Sequence, residues 1–182
     1  ANGLGKSTFL NTLNFGVTGA VPDPARVFKS AAEYREEAAR PARANDYFSG
    51  RISEMMRPLA TVSVDLHWPE IRLSVTRNIF DEGATRLEID RGAGVETLSI
   101  EDGHDVEKRY QSEVLQATGI QNFAQFIFLF HFVLTFDEGR HLIMWDDRAI
   151  TTALYLAFGS DDAAAGEAER LNRAMERESS RA

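Results

Sequence analysis

Polar and apolar residues alternate along two stretches in the middle of the chain, Thr61–Trp68 and Ile71–Arg77. Two shorter stretches of similar character follow at Thr85–Ile89 and Val95–Ile100, each bounded by glycine or acidic residues. A period of two residues is typical of strands with one buried face, and short connections favour antiparallel neighbours. The pattern therefore predicts an antiparallel meander of four short strands.

A helical pattern precedes this region near the start of the chain. Thr8–Phe15 is predicted to be a helix whose buried face carries Phe9, Leu10 and Leu13. Residues 16–24 (GVTGAVPDP) are rich in glycine and proline, which favour turns. We therefore expect the helix to end in a loop that begins at residue 16.

Three further segments have recognisable patterns. Ala31–Arg43 is rich in alanine and charged residues and is predicted to be helical as far as Pro41. Asp105–Thr118 is predicted to be a helix that ends at the following glycine. Phe126–Phe136 has a large apolar residue at every second position and further apolar residues between them. It is predicted to be a strand buried on both sides, although a helix over its first half remains open.

The C-terminal part has a heptad-like apolar stripe with charged neighbours, which is typical of a coiled coil or of an ordinary amphipathic helix. Its members are Ala164, Ala168, Leu171, Met175 and Ala182. A short strand at Leu142–Trp145 and a helix at Ala149–Phe158 are predicted before it. We expect residues 1–160 to form one domain and residues 161–182 to begin a coiled coil.

Composition narrows the possible functions. A length of 182 residues suits a single domain, and the absence of cysteine excludes disulfides and thiolate metal sites. A net charge of −8 argues against a domain that simply coats nucleic acid. The most apolar stretch is shorter than the roughly 20 residues that a membrane helix needs. We therefore expect a cytoplasmic protein without a membrane segment.

The most specific motif lies at the first residues. ANGLGKST, from Ala1 to Thr8, matches the phosphate-binding pattern G-x-x-x-x-G-K-[ST] at every position except the first glycine. That glycine, and the strand that usually leads into it, are expected upstream of Ala1. The chain is therefore interpreted as part of a longer protein.

The residue types of this motif suit a nucleoside triphosphate with magnesium. Glycines let backbone amides approach phosphate oxygens closely, and the following helix directs the positive end of its dipole at them. Lys6 is the candidate catalytic residue, because it supplies a cation to the β and γ phosphates, and Ser7 is placed to bind Mg²⁺. The candidate residues for binding ATP are Asn2, Gly3, Leu4, Gly5, Lys6, Ser7 and Thr8.

These residues resemble the N-terminal head segment of SMC-like ATPases, including the double-strand-break-repair type. The matching features are ANGLGKSTFLNTL, the strand sequence LSVTR at Leu73–Arg77, and the closing helix that runs into SSRA. The stretch Phe136–Asp146 is similar to SMC-like subunits of Lamassu-type anti-phage systems. The resemblance implies an α/β P-loop NTPase fold, the N-terminal lobe of an ABC/SMC head, with an antiparallel β subdomain and a C-terminal helix leading into a coiled coil.

The resemblance also implies a loop whose glutamine completes the coordination of magnesium. By position this loop lies near Phe136–Arg140, where no glutamine occurs, and Gln121 and Gln125 lie earlier. Glu138 is therefore the candidate metal ligand, with Asp137 as the alternative, since carboxylates bind Mg²⁺ well. A solvated acidic turn is the competing interpretation.

Arginine and histidine are two further residue types that could belong to a functional site. Arg77 matches by position an arginine that often ends this strand in SMC-like heads, and an exposed surface arginine is the competing interpretation. The histidines show no spacing typical of metal ligands, so each is expected to be structural or exposed. They are His67, His104, His131 and His141.

The predicted function is ATP binding and hydrolysis by an SMC-like head that couples nucleotide state to DNA binding or processing. The family implies as partners the C-terminal lobe of the same protein, a second ATPase head, DNA and a nuclease-type subunit. No general base is evident, so this chain alone is expected to hydrolyse little ATP. The alternatives are a transporter-type ABC ATPase, a P-loop kinase or GTPase, and a non-hydrolysing ATP-binding switch.

Overall fold

The computed structural model describes residues 5–22, 38–81 and 83–135, together with Arg170, Leu171 and Arg177. The chain divides into two compact units, Ala1–Arg140 and His141–Ala182, and almost all of the described residues belong to the first.

Only isolated residues of the second unit are described. Arg170, Leu171 and Arg177 are helical, and Leu171 is exposed. The strand predicted at Leu142–Trp145 and the helix predicted at Ala149–Phe158 lie outside the described residues. The domain boundary after residue 160 and the coiled coil therefore stay predictions.

A four-stranded antiparallel sheet forms the centre of the first unit, with strand order β1-β2-β3-β4. In chain order the strands are β1 (Thr61–Trp68), β2 (Ile71–Asn78), β3 (Ala84–Asp90) and β4 (Val95–Ser99). Each strand pairs with its neighbour in sequence. The predicted meander is confirmed, and the described part of the chain is mixed α/β.

Alternation along the strands gives the sheet one apolar and one polar face. Val64 pairs with Val75, Val75 with Leu87, and Leu87 with Leu98, so these side chains form a row across the sheet. Full burial of one such side chain stabilises the fold by about 1.5–3 kcal/mol. The opposite face is polar and includes a hydrogen bond of 2.8 Å between the hydroxyl groups of Ser63 and Thr76. The helices therefore pack on the valine and leucine side.

Four α-helices whose bounds lie within the described residues accompany the sheet. They are α1 (Lys6–Thr18), α2 (Pro41–Ser49), α3 (Val106–Thr118) and α4 (Phe123–Leu129). Short 3₁₀ turns occupy Glu54–Leu59 and Ile100–Asp102, and a π-helical turn, Phe130–Leu134, follows α4 directly. Among the described residues no single helix is long and apolar enough to cross a membrane. One bent pair of helices passes the test of length and composition. It consists of α3 and the stretch Phe123–Leu134, with a bend of 69° between them.

Helix α1 ends later in the chain than predicted. It continues through Gly16 to Thr18, and Gly19 ends it in a left-handed conformation with φ of 71°. Gly16 lies against β1, where an added Cβ would stand 2.5 Å from Cγ2 of Val64. Glycine at position 16 thus reflects close packing of a helix on a sheet, so the predicted loop start at that residue was wrong.

The buried face of α1 was also predicted wrongly. Phe9 is 69% exposed, and Leu10 and Leu13 are only half-buried. The buried polar residues of α1 are Asn11, Asn14 and Thr18. Their spacing of three and four residues places them on one side of the helix, so a polar stripe faces the interior.

The segment predicted as a strand at Phe126–Phe136 is helical as far as Leu134, and residue 136 lies outside the described residues. Rings four residues apart contact each other, with centroid separations of 6.0 Å for Phe126 and Phe130 and 5.0 Å for Phe128 and Phe132. Apolar residues fill both faces of this segment. The alternation of large side chains therefore could not distinguish a strand from a helix here. Asn122 is the signal that was missed, since its side chain accepts a hydrogen bond from the amide of Gln125 and caps the helix.

Two other predicted helix boundaries can be compared with the structure. Helix α3 is confirmed, with Asp105 as its N-cap and Gly119 as its C-cap. The predicted break at Pro41 is also confirmed, because Ala38 is helical and Pro41 opens a new helix at its first turn. Residues 31–37 of that prediction lie outside the described residues.

Candidate functional site

The described part of the GKST sequence forms the first turn of α1. Gly5 is the N-cap residue with φ of 73°, a left-handed conformation that glycine adopts at little cost. A Cβ at Gly5 would meet nothing within 4 Å, so the requirement for glycine is conformational rather than spatial. Lys6 and Ser7 are exposed and Thr8 is half-buried. Asn2, Gly3 and Leu4 lie outside the described residues.

This helix end carries no negative charge in its first turn, as is also true of α2. The first turn of α1 contains no acidic residue, and no side chain of the described residues caps it. The first amides of a helix lack intrahelical partners, and the dipole there favours anions. Lys6 instead adds a positive charge, which costs about 0.3–1 kcal/mol in such a position. An anion bound at this turn would offset that cost.

Only one of the predicted magnesium ligands, Ser7, lies in the described part of the chain. Ser7 lies in the exposed first turn of α1, whereas Asp137 and Glu138 lie outside. Gln121 is exposed before α4, and Gln125 is buried within the first turn of α4. Within the described ranges, no three His, Asp or Glu side chains form a group able to hold a metal ion.

The polar stripe of α1 packs against the π-helical turn and the residue after it. Oγ1 of Thr135 lies 2.9 Å from Oδ1 of Asn14 and 2.8 Å from the carbonyl oxygen of Phe130, so its one proton is shared between two acceptors. One turn further along α1, Oγ1 of Thr18 lies 2.9 Å from Nε2 of His131. Burial, and to a smaller extent the charge of Arg43, lower the pKa of His131 to about 3. His131 is thus structural, whereas His67 and His104 are exposed and His141 lies outside the described residues.

Asn11 is the exception in this stripe. It is buried, and among the described residues its Oδ1 atom has no hydrogen-bond partner. A buried acceptor without a partner costs about 1–3 kcal/mol.

Arg77 lies at the other end of α1, and the surface interpretation of this residue was wrong. Its side chain is only 1% exposed. Nε donates a hydrogen bond of 3.0 Å to the carbonyl oxygen of Gly16, and both terminal nitrogens face the carboxylate of Glu107. The guanidinium also lies 5.2 Å from the ring centroid of Tyr110. Arg77 therefore links β2, α1 and α3.

Glu107 and Tyr110 complete this group on α3. Burial alone would raise the pKa of Glu107, but the charge and hydrogen bonds of Arg77, with those of Gln111 and the Ala84 amide, outweigh it and lower the pKa. Burial raises the pKa of Tyr110, so its hydroxyl stays protonated and donates to the carbonyl oxygen of Val17 at 2.6 Å. Sequence reasoning missed both residues, because their spacing of three residues on α3 gives no indication of the partner helix.

Comparisons with protein-family models, with curated protein sequences and with solved structures find no match for this chain.

Proposed function

We propose that the chain binds a nucleoside triphosphate with Mg²⁺ at the N-terminus of α1, as the N-terminal lobe of an SMC-like ATPase head. Hydrolysis by the assembled protein would couple nucleotide state to the binding or processing of DNA. The proposal assigns Lys6 to the β and γ phosphates and Ser7 to the metal ion.

The observation that carries the proposal is the start of α1 at GKST. The sequence pattern requires a glycine that turns the chain into a helix, followed by a lysine and a hydroxyl residue in the first turn. Gly5 has the left-handed conformation that such a turn needs, and Lys6 and Ser7 are exposed beside the uncapped amides. A helix N-terminus with a basic residue in its first turn favours an anionic ligand.

The sheet topology supports the choice among P-loop proteins. Small GTPases and simple kinases usually continue from the phosphate loop into parallel βα units. The four strands that follow α1 here form an antiparallel meander, which ABC-type ATPases have at this point. This order favours an ABC/SMC head over a kinase or GTPase.

The path of the chain is consistent with the proposed metal site. From His131 beside Thr18 to Thr135 beside Asn14, the chain runs towards the N-terminus of α1. Asn14 and Ser7 are about 10 Å apart along the axis at a rise of 1.5 Å per residue. Three residues of extended chain span about 10 Å as well. The chain is therefore long enough for Glu138 to reach Ser7.

Catalysis in this proposal depends on groups from several sources. Lys6 and Mg²⁺ would stabilise charge on the transferred phosphoryl group, which is the main contribution in phosphoryl transfer. The C-terminal lobe of the same protein and a second head would supply the groups that this chain lacks. DNA and a nuclease-type subunit are the proposed downstream partners, and the C-terminal helix is proposed to lead into the coiled coil.

The test is ATP turnover by the full-length protein, with and without DNA, for the wild type and Lys6→Ala. Lys108→Ala is a matched control, because Lys108 is an exposed lysine in the first turn of another helix, α3. We expect Lys6→Ala to abolish turnover and Lys108→Ala to leave it unchanged. Ser7→Ala should raise the Mg²⁺ concentration needed for half-maximal turnover.

Each outcome separates one interpretation from the others. Turnover that DNA stimulates and Lys6→Ala abolishes supports the SMC-like head. ATP binding that depends on Lys6 without any turnover favours the non-hydrolysing switch. Turnover unaffected by Lys6→Ala excludes the phosphate-binding role of α1.

A further inference from the structure

The C-terminal end of α1 is held by side chains from other elements. The last four carbonyl groups of a helix have no intrahelical donor and need partners from elsewhere. At the end of α1 the Gly19 amide donates to Phe15, Arg77 Nε donates to Gly16, and Tyr110 Oη donates to Val17. The corresponding distances are 2.7, 3.0 and 2.6 Å. Two of these three bonds therefore come from residues far along the chain.

The charge of Arg77 matches the position that it occupies. The C-terminus of a helix carries a partial negative charge and is stabilised by a cation. Arg77 places its guanidinium there, and the carboxylate of Glu107 balances the buried charge. Oε2 of Glu107 also accepts a hydrogen bond of 2.9 Å from the amide of Ala84, the first residue of β3. The group thus joins the end of α1 to β2, β3 and α3.

Close contacts leave α1 little freedom to slide at this end. A Cβ on Gly19 would stand 3.1 Å from Nη1 of Arg77. A helix transmits a displacement along its axis, because each turn is hydrogen-bonded to the next. Helix α1 is 13 residues long, with Lys6 and Ser7 in its first turn and the held carbonyl groups in its last. The position of that first turn therefore depends on where the last turn is held.

We propose that Arg77, Glu107 and Tyr110 are positioning residues that set the place of Lys6 and Ser7 by holding the opposite end of α1. This inference rests on the proposed nucleotide site. None of the three is assigned a contact with nucleotide. Phosphate binding by backbone amides and Lys6 is sensitive to displacement, and a misplacement of about 1 Å can cost about 100-fold in rate.

The test uses Tyr110→Phe in the full-length protein, which removes one hydroxyl and keeps the ring. Ile89→Val is the matched control, because Ile89 is fully buried in β3 and pairs with Leu73 and Glu96 rather than with α1. Both variants are expected to lower thermal stability to a similar, small extent. The dissociation constant of a fluorescent ATP analogue with Mg²⁺ and the number of sites are measured well below the melting temperature.

We expect Tyr110→Phe to raise the dissociation constant about fivefold or more, and Ile89→Val to change it less than about twofold. A loss of folded protein alone would reduce the number of sites and leave the dissociation constant unchanged. Arg77→Lys keeps the positive charge but not the paired donors, and is expected to weaken binding further than Tyr110→Phe.

The outcomes distinguish this inference from the proposed function. If Lys6→Ala abolishes binding while Tyr110→Phe and Arg77→Lys behave like Ile89→Val, the positioning role is wrong and the nucleotide site stands. If the wild type does not bind the analogue, or Lys6→Ala binds it equally well, the nucleotide site is wrong and the positioning role falls with it.

Discussion

The hydroxyl oxygen of Thr18 and Nε2 of His131 lie 2.9 Å apart in the interior, where α1 meets the π-helical turn. The Thr18 hydroxyl has one proton, and its shortest contact with an acceptor is 2.6 Å, to the carbonyl oxygen of Asn14. Which of the two side chains donates in this contact is set by the tautomer of His131. The imidazole is neutral in this arrangement, because burial lowers its pKa to about 3.

This pair predicts a loss of stability in mild acid. The pKa of His131 is lower in the folded protein than the value of about 6.5 in an unfolded chain, so unfolding takes up a proton below that pH. The contribution is fully present above about pH 6.5 and is lost progressively towards pH 3, at about 1.4 kcal/mol per pH unit. Urea unfolding at pH 7 and pH 5 should show about 2 kcal/mol less stability at pH 5 from this residue.

His131→Gln should be less stable at pH 7 but should lack this component of the pH dependence. His67→Gln is the control, because His67 is exposed on β1. An equal loss between pH 7 and pH 5 in the wild type and His131→Gln would show that His131 does not cause it.

Gly16→Ala is predicted to destabilise the protein even though alanine is the better helix former. The new Cβ would lie 2.5 Å from Cγ2 of Val64 and 3.0 Å from Cγ2 of Val62. Overpacking of this kind costs about 1–3 kcal/mol, which exceeds the gain in helix propensity of about 1 kcal/mol. Denaturant unfolding should show a net loss of about 1 kcal/mol.

Two further variants test the cause of that loss. Val64→Ala, combined with Gly16→Ala, makes room for the methyl group and should recover part of the stability that each single change removes. Gly50→Ala is the matched control, since a Cβ at Gly50 meets nothing within 4 Å. A gain in stability for Gly16→Ala alone would contradict the close approach of α1 to β1.

Asn11 and Asn14 are predicted to respond in opposite ways to replacement by leucine. Oδ1 of Asn11 is buried and has no partner in the part of the chain that the structure describes, so Asn11→Leu removes a cost and should raise the free energy of unfolding by about 1 kcal/mol. Oδ1 of Asn14 accepts the hydrogen bond from Thr135, so Asn14→Leu should lower it by about 1–2 kcal/mol. Thermal unfolding of the two variants side by side measures this contrast, and equal shifts would contradict it.

Glu107→Gln is predicted to destabilise the protein most at neutral pH. The change leaves the buried charge of Arg77 without its carboxylate, which costs about 3 kcal/mol. The lowered pKa of Glu107 means that its contribution is present above the unfolded value of about 4.3 and is lost as the pH falls through the folded value. The difference between variant and wild type should therefore shrink below about pH 4 in urea unfolding curves.

Glu88→Gln provides the comparison for this variant. Glu88 forms an ion pair with Arg86 in which the side chains are 38% and 56% exposed, so the change should cost less than about 1 kcal/mol. A difference for Glu107→Gln that stays constant down to pH 3 would argue against the carboxylate as its source.

The strands were predictable because each has a single buried face. Alternation along Thr61–Trp68 and Ile71–Arg77 encodes both the strand and its orientation, and the observed register aligns the apolar residues in rows. The helix at Phe123–Leu129 was not predictable from period alone, because it is apolar all round. Its N-cap residue, Asn122, was the only local signal that favoured a helix there.

The candidate site was predictable only at its start. GKST follows a pattern fixed by local chemistry, so its position at a helix N-terminus could be derived from the sequence. The buried asparagines of α1 were not, because such residues are mostly exposed in proteins. Arg77 contacts Gly16 and Glu107, which are 61 and 30 residues away in sequence, and no local pattern carries that information.

The π-helical turn limits how the length of the chain can change. His131 and Thr135 are four positions apart in sequence, and so are Asn14 and Thr18. Both pairs therefore form only when the two segments have matching lengths. An insertion or deletion between His131 and Thr135 would break one of these two pairs. Changes in length are better tolerated in the exposed turn at Gly92–Gly94, where added atoms on either glycine meet nothing within 4 Å.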